Sequence, residues 1–159
     1  MARRLSHLDS KGKARMVDVG GKAVTSREAI ARARVVVSPG ILRLVREGAI
    51  KKGDVLTVAE IAGVQAAKRT AELIPLCHPL PLSYAGVTLS LDEAAHAIEI
   101  EATCRTRAST GVEMEALTAA SVAALTVYDM CKSAGRGIRI TDLRLVRKSG
   151  GSSGTYEEK

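Results

Sequence analysis

Three parts of the chain gather side chains that could do chemistry. In ELIPLCHPLPL (72–82), Pro75, Pro79 and Pro81 stiffen a segment that, after Glu72, is apolar except for Cys77 and His78. A polar pair held in a stiff loop can form one wall of a pocket. A proline-rich connector whose half-buried histidine bonds only to backbone is the competing reading, and both stay open. Adjacent Cys and His lack the spacing of metal ligands, and Cys104 and Cys131 lie far along the chain, so no metal site is read here. In TGVEMEALTAASVAALTVYDMCKS (110–133), Asp129 and Lys132 are three apart and share a helical face. An ordinary ion pair in a last turn would explain them equally well. Thr110 and Glu113 match a capping box, which supplies a structural reason for Glu113. Glu115 and Asp129 differ by 14 positions, nearly four whole turns, so they point the same way about 21 Å apart. One compact site cannot use both from a single copy; either the ligand is long or a second subunit brings its own helix alongside. The third set is basic: Lys51-Lys52 before a helix start that favours anions, Lys68-Arg69, and Lys148 before SGGSSG. That glycine tract lacks the spacing of a P-loop.

Regular elements must place these groups. Residues 1–15 are polar and basic and read as a flexible arm, and 16–19 (MVDV) as a short edge strand. In 25–37 (TSREAIARARVVV), small apolar residues alternate with charged ones before a valine run, which favours a strand over a helix. Ser38-Pro39 opens a short helix that ends near Glu47-Gly48. Asp54 caps a longer one over 55–73, stopped by Pro75. Residues 82–91 and 96–107 alternate and pair as a hairpin about Asp92-Glu93. Thr110 opens the longest helix, to Ser133, with Gly135 as its C′ residue. A last strand covers 138–146, and a mobile Gly/Ser tail runs from 149 to 159. This β-α-β-β-α-β order predicts an α+β, ferredoxin-like antiparallel sheet with helices on one face, in a single domain over 16–148.

Composition narrows the partners. The 159 residues carry a net charge of +7, 24 alanines, three tyrosines and neither Phe nor Trp. A core of Ala, Val, Leu and Ile buries little area per side chain, so an oligomer is expected. The charge asks for an anion. Without aromatic rings to stack bases, single-stranded nucleic acid is a poor fit; a basic oligomer binding duplex nucleic acid is the alternative, and a phosphorylated metabolite fits better. No membrane span and no secretory signal are visible, and three unpaired cysteines suit a reducing cytoplasm.

The blocks KKGDVLTVAEIAGVQAAKRTAELIPLCHPLPLS (51–83), TGVEMEALTAASVAALTVYDMCKS (110–133) and KSGGSSG (148–154), with LSHLDSKGKARMVDV (5–19), resemble the cyclic pyranopterin monophosphate synthase family of molybdenum cofactor biosynthesis. The resemblance covers nearly the whole chain. It implies a ferredoxin-like lyase, a homohexamer built as a trimer of dimers, with sites at dimer interfaces. The implied reaction turns (8S)-3′,8-cyclo-7,8-dihydroguanosine 5′-triphosphate into cyclic pyranopterin monophosphate and releases pyrophosphate. No redox cofactor is implied, and a divalent ion travelling with the triphosphate is left open. Position by position, the resemblance makes Asp129, Lys132 and Lys52 catalytic. It assigns Leu76, Cys77, His78, Met114 and Glu115 to substrate binding, and places Lys68, Glu113 and Lys148 around the pocket. On this basis lysines crowded together would depress one another's pKa so that one serves as a neutral base. Asp129 would orient Lys132 or act as a base itself. His78 and Glu115 would hold the pterin-forming end, and Lys68 and Lys148 the triphosphate.

Overall fold

The computed structural model describes residues 11–158; the first ten residues of the expected arm lie outside the described residues. The elements are β1 (Thr25–Val36), α1 (Pro39–Arg46), α2 (Val55–Ala67), α3 (Thr70–Leu73), β2 (Leu82–Asp92), β3 (Ala97–Ala108), α4 (Glu113–Cys131), β4 (Arg139–Ser149) and β5 (Tyr156–Glu157). The alternation in 25–37 does make a strand. Ala29, Ala31, Ala33 and Val35 face the core, while Arg32 and Arg34 face outward. β3 repeats the pattern with Ile98, Ile100, Ala102 and Cys104 inward, and pairs antiparallel with β1 from Thr25↔Ala108 to Val36↔Ala97. The sheet order is β2-β3-β1-β4-β5, antiparallel throughout. Its first four strands have the ferredoxin-like arrangement.

The alanines allow close approach of the helices. α4 presents Ala116, Ala119, Ala120, Ala123 and Ala124, all buried, to α2 and the sheet. α2 answers with Ala59, Ala66 and the buried Gly63. A Cβ on Gly63 would meet Val87 Cγ2 at 2.8 Å and the Ala119 carbonyl oxygen at 2.9 Å, so the two helices and β2 close on this glycine. The predicted helix starts hold at two positions: Ser38 Oγ accepts from Ile41 N at 3.3 Å, and Asp54 Oδ1 from Thr57 N at 3.1 Å.

Several expectations are corrected. The helix over 55–73 breaks at Lys68-Arg69, where Arg69 N donates to the Ala66 carbonyl three residues back and the buried Thr70 hydroxyl donates to the Ala66 and Ala67 carbonyls. The capping box does not form. Val112 is the N-cap and no side chain caps α4, since Glu113 is drawn to Lys148 instead. Gly135 is not the left-handed terminator; Gly137 takes that conformation (φ 81°), and a Cβ on Gly135 would meet Ile41 Cδ1 at 3.1 Å. Residues 16–19 form no strand; the Val17 carbonyl is committed to His78. The hairpin turn is longer than Asp92-Glu93: Asp92 Oδ1 accepts from Ala95 N, and His96 takes φ 49°. The last strand runs on to Ser149, after which the chain turns and Tyr156-Glu157 pair with Lys148-Arg147.

Replacing Gly63 by Ala forces α2, α4 and β2 apart. Urea denaturation of Gly63→Ala should give a loss of about 1–3 kcal/mol, the cost of overpacking a closed core; an unchanged midpoint would show the contact to be loose.

Candidate active site

α4 sets the geometry, because functional side chains sit on both its ends. At its N-terminal end, Glu113, Met114 and Glu115 face the proline-pinned loop. That loop is anchored by Cys77 N donating to the Ile74 carbonyl at 3.1 Å and by Thr106 Oγ1 donating to the Pro81 carbonyl at 2.7 Å. Leu76, Cys77, His78, Met114 and Glu115 line one cavity of about 380 Å³ together with Val17 and Lys22. The loop is therefore a pocket wall. His78 Nε2 donates to the Val17 carbonyl at 2.7 Å, which fixes the ring and leaves Nδ1 as the nitrogen available to a ligand.

Burial shifts one acid and one thiol of this cavity toward their uncharged forms. Glu115 is only 4% exposed, and burial, aided by the nearby charge of Glu113, raises its pKa against the opposing pull of a backbone hydrogen bond. Burial, then the charge of Glu115, raises the Cys77 thiol. Burial likewise pushes Cys104, beneath the sheet, up to about 12. The shift disfavours the Cys77 thiolate, the form in which a thiol is nucleophilic.

A second, smaller cavity of about 180 Å³ adjoins the first, sharing Lys22, Thr110, Gly111 and Glu113. Its far wall is the turn after β4, with Ser149, Gly150, Ser152 and Ser153, together with Lys148 and Arg27. Lys148 Nζ donates to Glu113 Oε1 at 2.9 Å. The uncapped N-terminus of α4, a turn whose glycines take φ 95° and 76°, and three cations make this end fit for an anion. Lys22 and Arg27 are site residues that sequence reasoning missed. The available signal was register: Arg27 sits in line with Ala29, Ala31 and Ala33, where a core side chain is expected.

The other end of α4 carries Asp129, with Lys52 Nζ 2.7 Å from Oδ2 and Lys132 Nζ 2.7 Å from Oδ1. Lys52 also donates to the Asp129 carbonyl at 2.9 Å. Hydrogen bonds from Lys132 and Lys52 hold the Asp129 carboxyl down to about 2, and Asp129 in turn raises Lys132. Within one copy, then, Lys132 is held charged by the carboxylate rather than neutralised by a neighbouring lysine, and Asp129 is a weak base. This cluster is exposed, flanked by Leu125 and Tyr128, and the fourteen-residue spacing puts it about 21 Å from Glu115. Lys68 falls on neither cluster: it lines a groove with Val64, Leu80, Leu82 and Tyr84, and meets the first cavity at Leu80.

Part of the charge elsewhere is paired. On the outer face of the sheet Arg32 binds Glu101, Arg34 binds Glu99, and Glu28 bridges Arg105 and Arg147. Such a face offers little net charge to a duplex, so the nucleic-acid alternative gains nothing. Among the described residues no three His, Cys, Asp or Glu side chains gather to hold a metal, and no helix is long and apolar enough to cross a membrane.

A ferredoxin-like α+β sheet ending in an anion cradle beside a carboxyl–imidazole–thiol cavity defines a class: proteins acting on small phosphorylated molecules. The chain belongs to the MoaC family, whose model matches residues 16–151. It is 60% identical over 156 residues to a cyclic pyranopterin monophosphate synthase of Chloroflexus aggregans, covering 98% of this chain and 94% of that protein. A synthase of the same name from Parvibaculum lavamentivorans is 56% identical over 158 residues, with 99% of both chains covered. The mouse protein named molybdenum cofactor biosynthesis protein 1 is 55% identical over 153 residues, 96% of this chain but 24% of its own length.

Because the folded state raises the Glu115 pKa, its contribution to stability is complete below the ordinary carboxyl value of 4.5 and is lost as pH rises through the shifted one. Glu115→Gln removes that loss. Denaturation should show the variant gaining on the parent as pH rises above 4.5; a pH-independent difference would mean that Glu115 is not desolvated.

Proposed function

We propose that this chain is a cyclic pyranopterin monophosphate synthase whose site is completed by two copies. The substrate is 3′,8-cyclo-7,8-dihydroguanosine 5′-triphosphate and the products are cyclic pyranopterin monophosphate and pyrophosphate. The observation that carries this reading is the joined pair of cavities: a ring-sized chamber with Glu115, His78 and Cys77 opens directly into an anion cradle. The purine-derived ring enters the chamber, where the Glu115 carboxyl, whose protonated form burial favours, and the His78 ring donate and accept protons as the five-membered ring opens and the pyran ring forms. The phosphates lie along Lys22, Lys148 and the start of α4. When a sugar oxygen attacks the α-phosphorus, the bond to the β-phosphate breaks and the departing diphosphate leaves against these cations.

Asp129, Lys132 and Lys52 stand about 21 Å away within one copy, so they reach this groove only from a neighbouring one. Exposed Leu125 and Tyr128 beside Asp129 give that neighbour an apolar surface to cover. In the assembled site Asp129 orients the two lysines, and contact with the substrate's phosphates or with Lys68 of the groove redistributes their protons. The assembly is a homo-oligomer, a hexamer made as a trimer of dimers. Three free thiols, two of them buried, suit a reducing cytoplasm.

Complementation tests the shared site. Asp129→Asn and His78→Ala, each alone, should lose about 10²-fold or more in turnover, if both move or position protons. Refolded together in equal amounts, they should recover about a quarter of the parent rate, because half of the dimers are mixed and each mixed dimer holds one intact site. No recovery from correctly assembled mixtures would place all these residues in one chain's site. Absence of pyrophosphate release by the parent protein would remove the reaction itself.

A further inference from the structure

We propose that Arg27 is a positioning residue, holding the turn 149–153 closed so that the polyphosphate end of the groove keeps its shape; this rests on the reading above that this end takes the triphosphate. Arg27 occupies the inward register of β1, yet it lies beyond the helices that cover Ala29, Ala31 and Ala33, and it lines the smaller cavity. Its Nη1 donates to the Gly150 carbonyl at 3.3 Å. The turn closes on it so tightly that only glycine fits: a Cβ on Gly150 would strike the Ser26 carbonyl oxygen, and one on Gly151 would strike the Arg27 guanidinium itself. Both glycines also need positive φ, which other residues rarely adopt.

Charge marks the same residue, along with Lys22. Glu28 and Glu113 face this cavity, but Glu28 is taken up by Arg105 and Arg147, and Glu113 by Lys148. Among the described residues Arg27 has no carboxylate partner, and its buried Nε has no hydrogen bond. Its full charge therefore stays beside the cavity, while its planar fork braces the turn that carries Ser152 and Ser153. Because β4 pairs with β1 at Lys148↔Ala29 and Ser149↔Glu28, loosening this turn also loosens Lys148. A lysine in place of Arg27 would keep the charge but not the fork.

The test compares Arg27→Met, Arg27→Lys and Gly151→Ala in the full-length protein, with steady-state kinetics and with inorganic tripolyphosphate as a competitive probe. Arg27→Met should raise KM for the cyclic triphosphate, and the inhibition constant of tripolyphosphate, about tenfold or more, with kcat changed less than about threefold. Arg27→Lys should recover only part of this, and Gly151→Ala, which leaves the charge in place, should reproduce the KM effect. Wild-type behaviour of Arg27→Lys and Gly151→Ala would reduce Arg27 to a point charge and overturn the proposal. So would an unchanged tripolyphosphate constant in Arg27→Met. Should Arg27→Met fail to fold, the other two variants decide the matter by the same readouts. If tripolyphosphate does not compete with substrate even in the parent protein, the placement of the triphosphate fails and this proposal falls with it.

Discussion

The close packing of α2 on α4 is the constraint from which the functional geometry follows. Alanines and Gly63 let the two helices and β2 approach until a single added carbon would collide. The rise of α4 then separates the first-turn acids from Asp129 by nearly four turns. Lys52 enters the same frame from the residues before α2, whose start lies against the end of α4, as the Lys52–Asp129 ion pair records. The fold thus places two polar clusters at opposite ends of α4, the separation on which the proposed shared site rests.

The two ends treat carboxylates oppositely. Glu115 is buried against apolar neighbours, which favours its protonated form. Asp129 sits in water between two ammonium groups, which favours its ionised form. Environments that push two carboxyls apart are a familiar way of dividing acid and orienting roles within one enzyme. Here the division is made by position along α4. The lysines follow the same logic: Lys132 is raised by its aspartate, which favours its charged form.

Charge is arranged just as unevenly. Much of the sheet's outer face consists of Arg–Glu pairs that cancel, such as Arg32–Glu101 and Arg34–Glu99. At the groove, Lys22 and Arg27 are cations without a carboxylate partner that line one cavity together. A net charge of +7 therefore says less about binding than the positions where uncancelled cations share a cavity.

Local chemistry made much of the fold legible. Alternating alanine and charge in 25–37, the paired alternation of 82–91 and 96–107, and the caps Ser38 and Asp54 are signals within a few residues, and each formed its element. Local signals failed where a distant partner won. Glu113 abandons its capping box for Lys148, 35 positions away, and Val17 leaves its expected strand to receive His78, 61 positions away. Lys22 and Arg27 carry no local signature at all, apart from Arg27's place in an inward register. By itself, then, the chain determined the elements, the ferredoxin-like order and the spacing along α4, because periodicity and helix rise act between near neighbours. Only the tertiary structure decided which side chains share a cavity, which carboxyl is desolvated and which cations go uncancelled, because burial and charge pairing depend on segments brought together from across the sequence.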